Sequence, residues 1–94
     1  MSLVRRLVLD VLKPHSPSIV ELSQMLADTE GIDGVDITVY EIDRKVENVK
    51  VTLEGSDVNM EEVERIIQEN GGTVHSVDKV STGRKIVEEA RTLQ

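Results

Sequence analysis

Four polar residues follow the first apolar segment of the chain at a spacing that suits the binding of an anion or a small polar molecule. Lys13, His15, Ser16 and Ser18 lie where a predicted strand ends and a predicted helix begins. A helix N-terminus offers free backbone N–H groups and the positive end of the helix dipole, which both attract negative charge. Serines at this place are also explained by helix capping alone. We expect a ligand-binding loop here, with capping as the alternative.

The two histidines of the chain suggest a divalent metal ion. His75 lies near the start of the last predicted strand, which runs antiparallel to the first strand and therefore approaches the region of His15. Two imidazoles and a nearby carboxylate, Asp10 or Asp78, are suitable ligands for a divalent cation. The sequence predicts a metal site at His15, His75 and Asp10, and solvent-exposed histidines are the alternative.

An acidic stretch in the first third of the chain is a second candidate for a cation. It contains Glu30, Asp33 and Asp36, but the glycines do not stand where an EF-hand loop requires them, and the twelfth position from Asp28 is Val39. We expect a solvated turn, with a cation at these three carboxylates as the alternative. A divalent cation is therefore the only cofactor that the sequence suggests.

The composition excludes several classes of function. The chain has 94 residues, 18 Asp and Glu against 11 Lys and Arg, a net charge of −7, no Cys, and Tyr40 as its one aromatic residue. Nucleic-acid domains need positive charge or aromatic platforms, so no nucleic-acid partner is expected. Without cysteine there are no disulfides and no thiolate metal sites. The motifs of phosphate-binding loops, serine hydrolases and zinc proteases are absent, and we expect a protein that is not an enzyme.

The N-terminal segment does not read as a targeting signal. Its apolar run, Leu7 to Leu9, is followed by Asp10 and is too short for a signal peptide or a membrane span. We therefore expect a cytoplasmic protein with no membrane partner.

Hydrophobic periodicity predicts six elements in the order strand, helix, strand, strand, helix, strand. The first strand covers residues 4–12, and its helix begins with Ser16 or with a Ser18–Glu21 capping box and runs to about Thr29. Alternating apolar residues predict the middle strands, Asn59 caps the second helix, and the last strand covers residues 73–80. Ile86, Val87, Ala90 and Leu93 fall at helical spacing and predict a short amphipathic helix within residues 82–94.

This order is that of the ferredoxin-like split βαβ fold of the α+β class, here as one domain over residues 1–81 followed by the segment 82–94. Right-handed crossovers place the first and third strands in the centre of a four-stranded antiparallel sheet with both helices on one face.

The sheet face turned away from the helices, called the open face below, is predicted to be too apolar to remain in water. It includes apolar Leu12 and polar Thr52, and we expect a subunit interface there, in a symmetric dimer or a ring. The alternative is that the C-terminal helix folds back over it within one chain. The candidate interface residues are Val4, Arg6, Val8, Asp10, Tyr40, Ile42 and Lys50, with Asp10 and Lys50 expected as a cross-strand ion pair.

Five phrases along the chain together resemble one archaeal protein family, the domain of unknown function 211. The resemblance implies a ferredoxin-like fold, a small cytoplasmic archaeal protein and a tendency to self-assemble, and it implies no activity and no site residues. The phrases that carry it are Leu9–His15, Ser18–Leu22, Glu30–Val35, Glu47–Gly55 and Gly71–Asp78.

Taken together, these observations predict a homo-oligomeric ferredoxin-like module that catalyses no reaction and binds a small polar ligand or ion at the loop after the first strand or between subunits. The alternatives are a structural or protein-interaction subunit without a ligand, and a divalent-metal-binding protein.

Overall fold

The computed structural model describes residues 1–90 and confirms the predicted element order and the ferredoxin-like α+β fold. Strand β1 and helix α1 are followed by a hairpin of β2 and β3, then by α2 and β4. Their bounds are β1 (Val4–Pro14), α1 (Ile19–Ala27), β2 (Ile32–Ile42), β3 (Val46–Gly55), α2 (Met60–Glu69) and β4 (Thr73–Thr82).

The four strands form one antiparallel sheet in the order β2-β3-β1-β4, so β1 and β3 are central as predicted. Their register pairs Leu9 with Val51 and Val11 with Val49. Paired residues of antiparallel strands point to the same face, so the odd-numbered residues of both strands form one apolar surface. Both helices cover this surface with Leu22, Leu26, Val63 and Ile67, which are buried in the same cluster.

Local capping fixes where the helices begin. The Ser18 hydroxyl accepts a hydrogen bond from the Glu21 backbone N–H, and the Glu21 carboxylate accepts one from the Ser18 N–H. This capping box, rather than Ser16, therefore starts α1. Asn59 accepts a bond from the Glu62 N–H and starts α2 in the same way.

Register shifts correct the placement of two residues that we expected on the open face. The pairing of β2 with β3 shifts between Val39 and Glu41, and beyond the shift Ile42 pairs with Glu47. A bulge of one residue moves each later side chain to the other face, so Ile42 belongs to the helix side. The pairing of β1 with β4 shifts between Val4 and Arg6, and Val4 packs against the buried cluster.

The prediction of a C-terminal helix was wrong for residues 83–90, which contain no helix; Leu93 lies outside the described residues. Gly83 has a φ of 113°, a conformation that ends regular structure, and its N–H donates to the Leu3 carbonyl oxygen at 2.9 Å. Arg5 donates to the Arg84 carbonyl oxygen at 3.0 Å. These bonds hold residues 83 and 84 beside the N-terminus in a non-helical path.

Within residues 1–90, no helix is long and apolar enough to cross a membrane.

Gly31 should be far less tolerant of substitution than Gly34. Gly31 has a φ of 91°, and a Cβ atom there would collide with the Asp57 carbonyl oxygen, whereas a Cβ at Gly34 meets nothing within 4 Å. We expect Gly31→Ala to lower the free energy of unfolding by about 2 kcal/mol or more, and Gly34→Ala to change it by less than about 1 kcal/mol. Urea denaturation of both variants measures the difference; equal losses would contradict this account of the turn.

Candidate functional site

The loop after β1, the predicted ligand site, is organised around a buried lysine. Lys13 is 2% exposed, and its Nζ donates to the Pro14 carbonyl oxygen at 2.6 Å and to Glu47 Oε1 at 3.1 Å. Lys13 occupies the last odd-numbered position of β1, directly opposite Glu47 of β3. The strand alternation therefore turns the Lys13 side chain toward the helix layer and its ammonium toward Glu47.

His15 completes this network on the solvent side. Its Nδ1 lies 3.0 Å from Glu47 Oε2, and its Nε2 lies 3.0 Å from the Arg44 carbonyl oxygen. Both partners accept hydrogen bonds, so the doubly protonated imidazolium satisfies both contacts. The Glu47 carboxylate raises the pKa of His15, and the His15 and Lys13 side chains lower the pKa of Glu47.

Three of the four predicted ligand-binding residues are thus engaged within the chain. Lys13 and His15 share Glu47, Ser18 caps α1, and only Ser16 is exposed without a capping role. A ligand at this loop would have to displace one of these contacts. Sequence reasoning missed Glu47, although its place opposite Lys13 in neighbouring strands could have revealed it.

The two histidines are not brought together. β4 pairs with one edge of β1 and β3 with the other, and the His15 ring turns toward Glu47 of β3, away from His75 of β4. Nor do Glu30, Asp33 and Asp36 converge: residues 1–90 contain no group of three or more His, Asp or Glu side chains that could hold a metal ion. The structure therefore supports neither predicted metal site.

The open face is far more polar than predicted, because Val4 and Ile42 do not belong to it. Along the two central strands it presents the even-numbered residues: Arg6, Val8, Asp10 and Leu12 on β1, and Asn48, Lys50, Thr52 and Glu54 on β3. The paired positions of the edge strands add Gly34, Asp36, Thr38 and Glu41 from β2 and Thr73, Ser76, Lys79 and Ser81 from β4.

A polar cluster occupies the centre of the open face. The Tyr40 hydroxyl reaches from β2 across β3 and donates to the Asp10 carboxylate. This hydrogen bond raises the pKa of Tyr40 to about 12. Within residues 1–90, no ion pair joins Asp10 to Lys50, so the expected cross-strand pair is replaced by the tyrosine contact. A shallow cavity of about 370 Å³ lies here, lined by Asp10, Thr38, Tyr40, Lys50 and Asp78.

Charged contacts continue to one corner of the open face. Arg6 binds Glu54 of β3 at 2.8 Å and Glu88 of the C-terminal segment at 2.9 Å, and Glu88 lies 3.8 Å from Lys79. Glu88 therefore joins the C-terminal segment to this face through two cations. Sequence reasoning missed Glu54, Lys79 and Glu88, because these contacts depend on the strand register and on the path of the segment after Gly83.

Comparison with known proteins identifies relatives without an assigned activity. The model of the family DUF211, described as "Uncharacterized ArCR", matches residues 5–94. A protein of Methanocaldococcus jannaschii called "Uncharacterized protein MJ0319" is 53% identical over 94 residues, covering 100% of this chain and 97% of that protein. Neither description names an activity.

The contact between His15 and Glu47 should make the fold depend on pH in a defined direction. Because folding raises the pKa of His15 above its ordinary 6.5, the pair stabilises the fold below that pH and loses this contribution as the pH rises through the raised value. Because folding lowers the pKa of Glu47 below its ordinary 4.5, the contribution is also lost as the pH falls through the lowered value. It is therefore greatest between 4.5 and 6.5.

NMR titration of the His15 ring tests this directly. In a His75→Ala background one imidazole remains, and Glu47→Gln should lower its titration midpoint, since the charged partner is gone. Glu69→Gln, a matched change on α2, should leave the midpoint where it was. An unchanged midpoint in the Glu47→Gln variant would contradict the proposed network.

Proposed function

The chain belongs to the archaeal DUF211 family, and from that premise we propose that it acts as a self-associating module that catalyses no reaction and binds a second copy of itself through its open face. One observation carries the proposal: the molecule is a slab only 18 Å thick whose helices cover a single face of the sheet. The other face carries half-buried Val8 and Leu12 beside exposed Tyr40. Subunit interfaces combine apolar and aromatic groups with polar groups that form hydrogen bonds.

The free edges of the sheet are less suited to association than its open face. Three register shifts interrupt the pairing of β4 with β1, and two interrupt the pairing of β2 with β3. Bulges of this kind twist an edge and protect it from adding a further strand. The open face, in contrast, runs across all four strands, and no helix within residues 1–90 covers it.

A small polar ligand held between the subunits is a second candidate function. It is favoured by the cavity of about 370 Å³ on the open face, which is lined by one cationic residue, Lys50, by the carboxylates Asp10 and Asp78, and by Tyr40. A zwitterionic or hydrogen-bonding molecule matches such a mixture of charges. Native mass spectrometry of protein purified without added ligand separates the two: a stoichiometric extra mass supports the ligand, and bare subunits support association alone.

Association through the open face should be sensitive to Val8. We expect the wild-type protein to show at least twice its chain mass of 10.5 kDa in size-exclusion chromatography with light scattering at micromolar concentration. Val8→Asp should weaken association about tenfold or more, because it buries a carboxylate without a partner at the interface.

The matched control is Val20→Asp on α1, where Val20 is already 62% exposed on the helix layer. This variant should associate as the wild type does. A wild-type protein that stays monomeric, or equal weakening by both substitutions, would overturn the proposal.

A further inference from the structure

A second cavity, of about 400 Å³, lies beside the first residues of the chain and shares no residue with the open face or the Lys13 network. The charged side chains that line it are both cationic, Arg5 of β1 and Arg84 of the segment after β4, and Ser2 and Ser56 add two hydroxyl groups. Three other cavities are each lined by two or more carboxylates. In a chain with a net charge of −7, this cavity therefore stands out by the sign of its charge.

A bulge in β1 places Arg5 at this cavity. Val4 pairs with Thr82 and Arg6 pairs with Ser81, so Arg5 is the extra residue of β1 in its pairing with β4. A bulge redirects the side chain of the extra residue, and bulges are frequent next to functional sites.

Two hydrogen bonds hold the Arg5 guanidinium group in one orientation. Its Nε donates to the Gly55 carbonyl oxygen at 2.7 Å, and its Nη1 donates to the Arg84 carbonyl oxygen at 3.0 Å. The Arg5 Nη2 has no acceptor within residues 1–90. The main chain thus orients the group, and the N–H donors of Nη2 are left for a ligand.

Arg5 also lacks an ionic partner. The neighbouring carboxylates are engaged elsewhere: Glu54 and Glu88 contact Arg6, and Asp57 lines a different cavity. Within residues 1–90, Arg5 is half-buried, whereas every other cation without a salt bridge is exposed, namely Arg44, Lys45, Lys50, Arg84 and Lys85. A charge that is partly removed from water is stabilised by a counter-ion. Arg5 is therefore the cation of this chain that most needs an anion.

The conformation of Gly83 brings a second cation to the same place. Gly83 has a φ of 113°, which favours glycine, and its N–H donates to the Leu3 carbonyl oxygen at 2.9 Å. The chain after β4 therefore turns back beside the start of β1, and Arg84 follows directly. The Arg84 side chain is exposed and forms no hydrogen bond or salt bridge within the described residues. Two like charges are thus held at one cavity whose lining contains no carboxylate.

We propose that Arg5 and Arg84 bind the phosphate group of a small organic phosphate in this cavity. The planar guanidinium group donates parallel hydrogen bonds to phosphate oxygens and keeps its charge at any physiological pH. A phosphate monoester carries three terminal oxygens and nearly two negative charges, so it suits two guanidinium groups better than a carboxylate does.

The cavity and the charge of the chain favour a small ligand. A volume of about 400 Å³ is within the range of pockets that bind small molecules, and Leu3 adds an apolar wall for the organic part. A net charge of −7 repels a polyanion such as a nucleic acid, whereas a single phosphate group meets only the local field of the two arginines.

NMR titration of the ¹⁵N-labelled protein with inorganic phosphate and with phenyl phosphate tests the site. At about pH 7.5 a phosphate monoester is doubly charged, because its second pKa is about 6, and sodium chloride keeps the ionic strength constant. We expect saturable shifts of the Gly83 and Ser56 amide signals and of the Arg5 Nε–H signal, with tighter binding of phenyl phosphate than of inorganic phosphate. Benzoate, which carries the same ring on a carboxylate, should bind at least about tenfold more weakly than phenyl phosphate.

Arg84→Gln tests the second cation without disturbing the fold, because the bond from Arg5 uses the main-chain carbonyl oxygen of position 84. This variant should bind phenyl phosphate about tenfold or more weakly. The matched control is Lys85→Gln, which removes an exposed cation at the next position and should change the affinity by less than about twofold. Circular dichroism verifies that both variants are folded.

Each outcome decides for or against the site. Saturable shifts at Gly83 and Ser56 that are weakened by Arg84→Gln and retained by Lys85→Gln support it. No saturable shift at these amides with millimolar phenyl phosphate, or equal weakening by the two variants, would overturn it. Binding of benzoate as tight as that of phenyl phosphate would refute the assignment to phosphate. None of these results depends on self-association, because the cavity shares no residue with the open face.

Discussion

The strict alternation of apolar residues along β1 and β3 is the constraint on which the rest of the structure depends. Leu7, Leu9 and Val11 on β1 pair with Leu53, Val51 and Val49 on β3, and all six are at most 3% exposed. A register slip of one residue would turn this entire set into solvent, so the pairing of the two central strands is fixed by burial. Both helices then cover one surface of the sheet. The even-numbered residues of β1 and β3 lie on the open face.

The same alternation determines on which face of the sheet each polar residue of β1 lies. Lys13 is odd-numbered, and it is therefore drawn to the buried side, where Glu47 neutralises its charge and also binds His15. Arg6 and Asp10 are even-numbered and reach the open face, where the paired residues of β3, Glu54 and Lys50, carry the opposite charges. The loop that the sequence predicts to bind a ligand thus contains a network of Lys13, Glu47 and His15, and a second group of polar side chains lies at the centre of the open face.

The sequence was sufficient to predict the fold, but it did not predict which side chains meet on the two faces of the sheet. Element order, the central position of β1 and β3, and the caps Ser18 and Asn59 follow from periodicity and local propensity, which act within a few residues. The bulge near Tyr40 moves Ile42 from the open face to the helix side of the sheet, and no local sequence pattern predicts this bulge. The predicted helix after Thr82 has suitable spacing but is replaced by contacts of Gly83 and Arg84 with the N-terminus, which are distant in sequence.

Isotope-filtered NMR on an equal mixture of ¹³C-labelled and unlabelled protein tests the central claim most directly, because it detects only contacts between copies. Self-association through the open face buries Val8 and Leu12 of one copy against the other copy, so NOEs between copies are expected at the methyl groups of these two residues. Intermolecular NOEs that instead involve Val77 and Val80 at the edge strand β4, or no intermolecular NOE at a concentration where the protein is associated, would contradict the account.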